Sequence, residues 1–266
     1  MALYDYEGNV IATGGTVEAN VFIPDESLCQ YDKICKSINH RGYKVDGARE
    51  NTIAAYRASK THGFYYVETD VQYTQDGVAI LQHDEYVAYN GVSTSVQSLT
   101  YAQMQTIYTD ITTFEDFISL CRKIGLHPYI ELKTNQTTAQ VNALVDIVHK
   151  YQMQHKCTWF GGYANVSKVQ TYDNSARLGI LSNSLTQSII TQAATLKLDT
   201  NEVFLDTWID RATSDIITMA KAANLPLELY TFVNSTSQIE NLDPYITGFT
   251  SDTLIAGKVL YDANIA

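Results

Sequence analysis

Basic side chains are scarce. Only 18 Lys and Arg stand against 29 Asp and Glu in 266 residues, a formal net charge of −11. A nucleic-acid reader needs a basic patch to neutralise phosphates, and a membrane-surface protein needs basic amphipathic segments; so thin a scatter of cations suits neither. Cysteine is scarce as well. Cys29, Cys35, Cys121 and Cys157 contain no C-x-x-C or other zinc-like spacing, and they read as core thiols rather than as a disulfide framework or a metal site. No apolar run reaches the roughly 18 residues of a membrane span. A secretory leader is not visible in this chain either, since Asp5, Glu7 and Glu18 fall where its apolar stretch would be. The expected setting is cytoplasmic, or extracellular and virion-associated if the sequence is part of a longer polypeptide.

What is present is a chain with 45% hydrophobic residues, enough for a sizeable core in one large α/β domain or two smaller ones. Residues 1–36 stand apart: Glu7-Gly8-Asn9 and Gly14-Gly15, with short β-branched runs between them, predict a small hairpin or extended lead-in. Beyond it, short apolar runs alternate with helical spacing. Eight candidate strands are Ser37 to Arg41, Tyr65 to Tyr73, Pro128 to Lys133, Thr158 to Gly161, Arg177 to Leu181, Val203 to Asp206, Leu227 to Phe232 and Ile246 to Thr250. Between them lie stripes such as Phe114, Phe117, Ile118 and Cys121, preceded by the capping-box pair Thr112 and Glu115, and Val141, Leu144, Val145 and Val148. This alternation over residues 37–266 predicts a (β/α)8 TIM barrel, whose chemistry sits at the C-terminal ends of its strands.

The strand ends hold a consistent set of groups. His40-Arg41-Gly42 closes the first strand, and a histidine beside an arginine suits an anion. The second carries Glu68-Thr69-Asp70, and alternation puts both carboxylates on one face. Val67 and Val71 face the helices, so Glu68 and Asp70 point into the barrel mouth. Glu131 and Lys133 do the same on the third strand. Three inward carboxylates lose hydration and repel one another, so positive charge must offset them. A divalent cation does so, and oxygen-only ligands select a hard ion, Mg²⁺ or Ca²⁺; the competing reading is a plain ion-pair network with Arg41 and Lys133.

The segment Thr74-Gln75-Asp76-Gly77 contains the Asp-Gly signal of a two-residue hairpin turn. In that register Gln75 pairs with Val78 and His83 lies opposite Asp70, beside the candidate ligands. The stretch from Asp84 to Asp110 is too long for a simple connection and predicts a small insertion over the site. Other histidines read differently: His62 as a helix C-terminal cap, His149 and His155 as solvated, and His127 as sitting at the wrong end of a barrel. Trp208 and Phe160 follow strands at the functional end, where they line a groove or pack in the core.

The ordered set His40-Arg41-Gly42, Glu50-Asn51-Thr52, Glu68-x-Asp70, Asp76-Gly77, His83-Asp84 and Glu131-x-Lys133 resembles the glycerophosphodiester phosphodiesterase family. Tyr230-Thr231-Phe232-Val233-Asn234 and Thr250-Ser251-Asp252 resemble its late motifs. Two positions depart from the pattern: Arg49 stands where the family usually has Pro, and Tyr230 where it usually has Trp. The resemblance implies a TIM barrel and divalent-metal-dependent hydrolysis of a glycerol-linked phosphodiester to glycerol phosphate and an alcohol. It implies His40 and His83 as the acid/base pair, Glu68, Asp70 and Glu131 as metal ligands, and Arg41 and Lys133 as phosphate contacts. A polymeric substrate such as a glycerol-phosphate teichoic acid, or an inactive barrel used as a binding module, are the alternatives.

Overall fold

The computed structural model describes residues 2–4, 10–13, 36–44, 47–232 and 243–252. At the start, β1 (Ala2–Tyr4) and β2 (Val10–Thr13) pair antiparallel. The turn signals Glu7-Gly8-Asn9 and Gly14-Gly15, together with Cys29 and Cys35, lie outside the described residues. The chain continues through β3 (Lys36–Asn39), α1 (Ile53–Thr61), β4 (Tyr66–Tyr73) and a short returning strand, β5 (Ala79–Leu81). The insertion follows: an antiparallel pair, β6 (Tyr86–Tyr89) and β7 (Val92–Ser95), then α2 (Tyr101–Ile107). After α3 (Phe114–Ile124), strand and helix alternate as β8 (His127–Leu132), α4 (Thr138–Lys150), β9 (Thr158–Gly161), α5 (Tyr163–Tyr172) and β10 (Arg177–Leu181). The series ends with α6 (Gln187–Thr195), β11 (Val203–Trp208), α7 (Ser214–Ala223), β12 (Leu227–Phe232) and β13 (Ile246–Ser251).

The parallel order β3-β4-β8-β9-β10-β11-β12-β13, with β13 returning to β3, closes an eight-stranded barrel. Each predicted strand is present, with ends moved by at most two residues. Strand alternation divides the apolar residues in two. Val67, Val71, Ile130 and Leu132 face outward and join the helix stripes Phe117, Ile118, Val141 and Leu144 in the main core, which also buries the free thiols of Cys121 and Cys157. Ile38, Tyr129, Phe160 and Phe204 pack separately inside the barrel. The Phe204 ring fills the space over Gly179, where a Cβ would come within 2.2 Å of it. Toward the N-terminal end of the strands, Arg177 donates to Glu228 at 2.7 Å and to the Tyr129 hydroxyl at 2.9 Å, with its guanidinium 4.2 Å from the Phe204 ring centre.

Two local features sit one residue from their predicted places. Helix α3 is capped by Thr113 and Asp116, not by Thr112 and Glu115: the Thr113 hydroxyl oxygen accepts from Asp116 N at 3.1 Å and the hydroxyl donates to the Asp116 carboxylate at 2.7 Å. Thr112 instead accepts from Ile53 N at 3.3 Å, at the start of α1. The β4–β5 hairpin pairs Val71 with Leu81, Gln72 with Ile80 and Tyr73 with Ala79. Its turn holds three residues, Gln75, Asp76 and Gly77, with Thr74 N donating to Val78 O and Gly77 N donating to Thr74 O, both at 3.0 Å. Gly77 takes the left-handed conformation at φ +81°, the geometry of a type I turn with a following αL residue. Asp70 therefore faces Gln82, whose N–H donates to its carbonyl at 2.9 Å, and not His83.

The insertion has its own small core of Val87, Val96, Leu99, Met104 and Ile111, closed against Ile80. Arg49 fastens it to the loop before α1, pairing with Asp110 at 2.8 Å and lying 4.4 Å from the Tyr108 ring centre. Among the described residues, no helix is long and apolar enough to cross a membrane.

Candidate active site

The parallel register sets Asp70 of β4 beside Glu131 of β8, and Glu68 points to the same side one pleat below. Oxygens of the three carboxylates lie within 4.8 Å of one another. Lys133, just past β8, places Nζ 3.2 Å from Asp70 Oδ1 and 2.6 Å from Glu131 Oε1. Arg41, two residues past β3, sets its guanidinium Nε 3.4 Å from Asp70 Oδ2, while its backbone N–H donates to Glu68 Oε2 at 3.0 Å. Asn51 fixes Asp70 from behind. Its Nδ2 donates to Asp70 Oδ2 at 2.8 Å, and its Oδ1 accepts from the Tyr56 hydroxyl at 2.9 Å and the Thr69 hydroxyl at 3.0 Å.

Two cations against three carboxylates, of which Glu68 and Asp70 are buried, leave the cluster one positive charge short when all three are ionised. Burial, then the charges of Asp70 and Glu131, push Glu68 well above the usual carboxylate range. Burial and Asp70 push Glu131 up to about 7. Burial acts the same way on Asp70, but Lys133 and Arg41 outweigh it and hold that carboxyl below its ordinary value. Glu68 Oε1 is buried without a partner, and Asp70 Oδ1 has the Lys133 ion pair but no aligned hydrogen bond. Orphaned oxygens that can only accept, in an oxygen-only set, fit a hard divalent cation, and Glu68, Asp70 and Glu131 are the residues that can hold one.

Each candidate histidine is held through Nδ1 by an aspartate. His40 Nδ1 lies 3.0 Å from Asp252 Oδ1, an oxygen that also takes Lys44 Nζ at 2.8 Å; His83 Nδ1 lies 2.8 Å from Asp84 Oδ1. Burial lowers the His40 pKa, and the Asp252 hydrogen bond offsets only part of this. For Asp252 itself, burial is outweighed by His40 and Lys44, which hold it at about 2. His83 reaches the site although the register predicted for it is wrong. Strand β5 stops at Leu81, and the Gln72 side-chain amide donates to the carbonyls of Gln82, His83 and Asp84 at 2.8, 3.1 and 3.0 Å, bending the chain toward the mouth.

His40, Arg41, Glu68, His83, Glu131 and Lys133 all line one cavity of about 610 Å³, and Asp70 lies beneath them. Phe160, Leu181, Asn183, Asp206, Trp208 and Tyr230 form its other wall. Tyr230 meets Trp208 edge to face at 6.0 Å and donates its hydroxyl to Asn183, so the indole of this wall comes from β11. The sequence reading missed Asn51 and Asp252 as partners, although both stand in its motifs, and it missed Asp206. Asp206 is buried with Oδ1 unpartnered, and burial, Glu228 and Glu131 push its carboxyl well up. Its position near the C-terminal end of a barrel strand was the available signal. Of the remaining histidines, His62 ends α1, with Nδ1 2.9 Å from Ala58 O. His149 is exposed, as expected, and also pairs with Asp173 at 2.9 Å.

The model of the glycerophosphoryl diester phosphodiesterase family matches residues 40–254, most of the barrel. The chain belongs to this family. Among curated proteins it is 33% identical over 85 residues to the probable glycerophosphodiester phosphodiesterase 2 of Mycobacterium tuberculosis, a match spanning 30% of this chain and 32% of that protein. It is 47% identical over 51 residues to glycerophosphodiester phosphodiesterase 1 of Rattus norvegicus, spanning 19% of this chain and 15% of the relative. The chain thus spans no more than about a third of these relatives' length. Solved structures share the barrel over most of its length. The putative glycerophosphoryl diester phosphodiesterase of Silicibacter pomeroyi has a TM-score of 0.73 at 17% identity, covering 87% of this chain and 94% of that one. The Oleispira antarctica phosphodiesterase, solved with the product sn-glycerol-3-phosphate, has a TM-score of 0.72 at 18% identity, covering 88% and 98%. This glycerophosphodiester phosphodiesterase fold therefore carries its acidic cluster at the barrel mouth, where the family's chemistry is expected.

Proposed function

We propose that the chain hydrolyses a glycerol-linked phosphodiester to glycerol phosphate and an alcohol, using a divalent cation, Mg²⁺ or Ca²⁺, held by Glu68, Asp70 and Glu131. The observation that carries this reading is the pair of histidines, each oriented by an aspartate, flanking a carboxylate cluster short of one positive charge. The family match and the names of the relatives support the same chemistry. When bound, the ion supplies Lewis-acid neutralisation of the phosphate. Arg41 and Lys133 add fixed positive charge for its nonbridging oxygens. His40, kept neutral by burial with Nδ1–H directed at Asp252, presents Nε2 to the cavity as a proton acceptor for the nucleophile. His83 then protonates the leaving alkoxide as the P–O bond breaks. Positioned proton transfers of this kind contribute about 10²–10⁴ each.

A small diester is favoured over a polymer, since the relatives named above are called after glycerophosphodiesters. The experiment is release of glycerol phosphate from glycerophosphocholine. Turnover is expected with Mg²⁺ or Ca²⁺, lost after dialysis against EDTA, and restored by adding the ion back. Full turnover in chelator overturns the metal assignment in favour of the ion-pair network; no turnover under any of these conditions favours a binding module.

A further inference from the structure

We infer that Lys44 is a positioning residue for the reaction: it offsets the charge of the aspartate behind His40, so that Asp252 orients this ring as the base while Asp84, which has no such lysine, serves the acid. The inference rests on the hydrolase reading above and deepens its assignment of the two histidines.

The place of Lys44 is built into the turn that follows β3. Gly42 lies against α1 with no room for a side chain, since a Cβ there would come within 2.7 Å of Ala55 Cβ. Tyr43 N then donates to Ala55 O at 3.1 Å and to the Ser59 hydroxyl oxygen at 3.0 Å, and the Tyr43 ring stacks on His62 at 3.8 Å. Fastened in this way, the turn brings Lys44 back to the residue that follows β13. Its Nζ lies 2.8 Å from Asp252 Oδ1, the oxygen that receives His40 Nδ1 at 3.0 Å, and 3.9 Å from Glu50 Oε2.

A carboxylate on Nδ1–H fixes the ring and its tautomer, but its charge also favours imidazolium, which has no lone pair for the nucleophile's proton. A base needs the first effect without the second. With Lys44 on the same oxygen, the set of His40, Asp252 and Lys44 is electrically neutral when the ring is unprotonated. The other pair is built differently: His83 Nδ1 lies 2.8 Å from Asp84 Oδ1, and Asp84 makes no further ion pair among the described residues. It is neutral when its ring carries both protons, the state from which a general acid starts. The charged groups acting on His40 are Arg41 and Lys44 from its own loop and Asp252 from the end of β13, while on the β4 side Glu68 accepts the Arg41 N–H. Burial, with Arg41 and Lys44 adding to it, holds the His40 pKa below its usual value against the Asp252 hydrogen bond.

The test titrates the His40 ring by NMR with saturating Mg²⁺ or Ca²⁺, its resonances assigned by their loss in His40→Ala, beside the pH profile of kcat/KM for glycerophosphocholine. In Lys44→Met and Lys44→Gln the His40 pKa is expected to rise by about one unit, the effect of deleting one nearby like charge. On the acid limb kcat/KM should then fall about tenfold, the loss narrowing as pH rises, and Lys44→Arg should restore both. A His40 ring that titrates in these variants as in the wild type, or a loss of kcat/KM equal at every pH, overturns the inference while leaving the hydrolase reading in place. A ring that moves without the acid limb removes His40 as the base, and the inference with it. A wild-type enzyme that does not cleave the diester overturns both.

Discussion

His40 and His83 reach the same cavity from different strands, and each has one ring nitrogen tied to an aspartate. Their removal should spare the carboxylate cluster, because neither hydrogen-bonds to Glu68, Asp70 or Glu131. His40→Ala and His83→Ala should each lower kcat by about 10² or more while retaining divalent-ion binding, measured by steady-state kinetics and titration calorimetry. The double variant should lose little more than the worse single one, since both act on one transition state. Near-normal turnover in either single variant would remove that residue from the mechanism. Six of the seven candidate residues could be placed at one mouth from the sequence, because strand alternation and order along the chain suffice for them; the argument given for His83 did not hold, since Asp70 faces Gln82. Asn51 and Asp252 were visible only as letters in motifs. Their roles depend on contacts across 19 and 212 residues of chain, which no local pattern encodes.

At the scale of elements, the eight barrel strands were legible because each is a short apolar run bounded by polar residues, a signal that survives errors of a residue or two. Register is a finer quantity, and there the reading failed. Asp-Gly suggested a two-residue turn, but Asp76 uses its carboxylate to accept from the Thr74 hydroxyl at 2.7 Å and from Tyr101 N at 2.9 Å, joining the turn to the first residue of α2. The turn widens to three residues, and Gly77 alone takes the left-handed conformation. Space around its Cα is open, so Gly77→Ala isolates the conformational cost. It should destabilise the fold by about 1 kcal/mol, read from the urea midpoint at unchanged slope. No loss of stability would show that the hairpin tolerates another turn. The position of His83 depended on a long-range side-chain clamp, the Gln72 amide, which hydrophobic periodicity does not report.

For the molecule as a whole, the proposed cation site predicts that folding is linked to cation binding. An ion that binds only the native state stabilises it by about 2.7 kcal/mol at a hundred times its dissociation constant. Mg²⁺ or Ca²⁺ should therefore raise the melting temperature by several degrees, EDTA should reverse the gain, and Glu131→Gln should shrink it at equal ion concentration. A melting temperature indifferent to these ions would mean that Arg41 and Lys133 already suffice. The interior of the barrel carries a different consequence. Tyr129, Phe204 and the Arg177–Glu228 pair obstruct its axis below the acidic cluster, so traffic is confined to one doorway. On the proposed reaction, the alcohol departs through the doorway first. Glycerol phosphate, clasped by the same charges that bound the diester, is the last to leave and stands in the path of the next substrate.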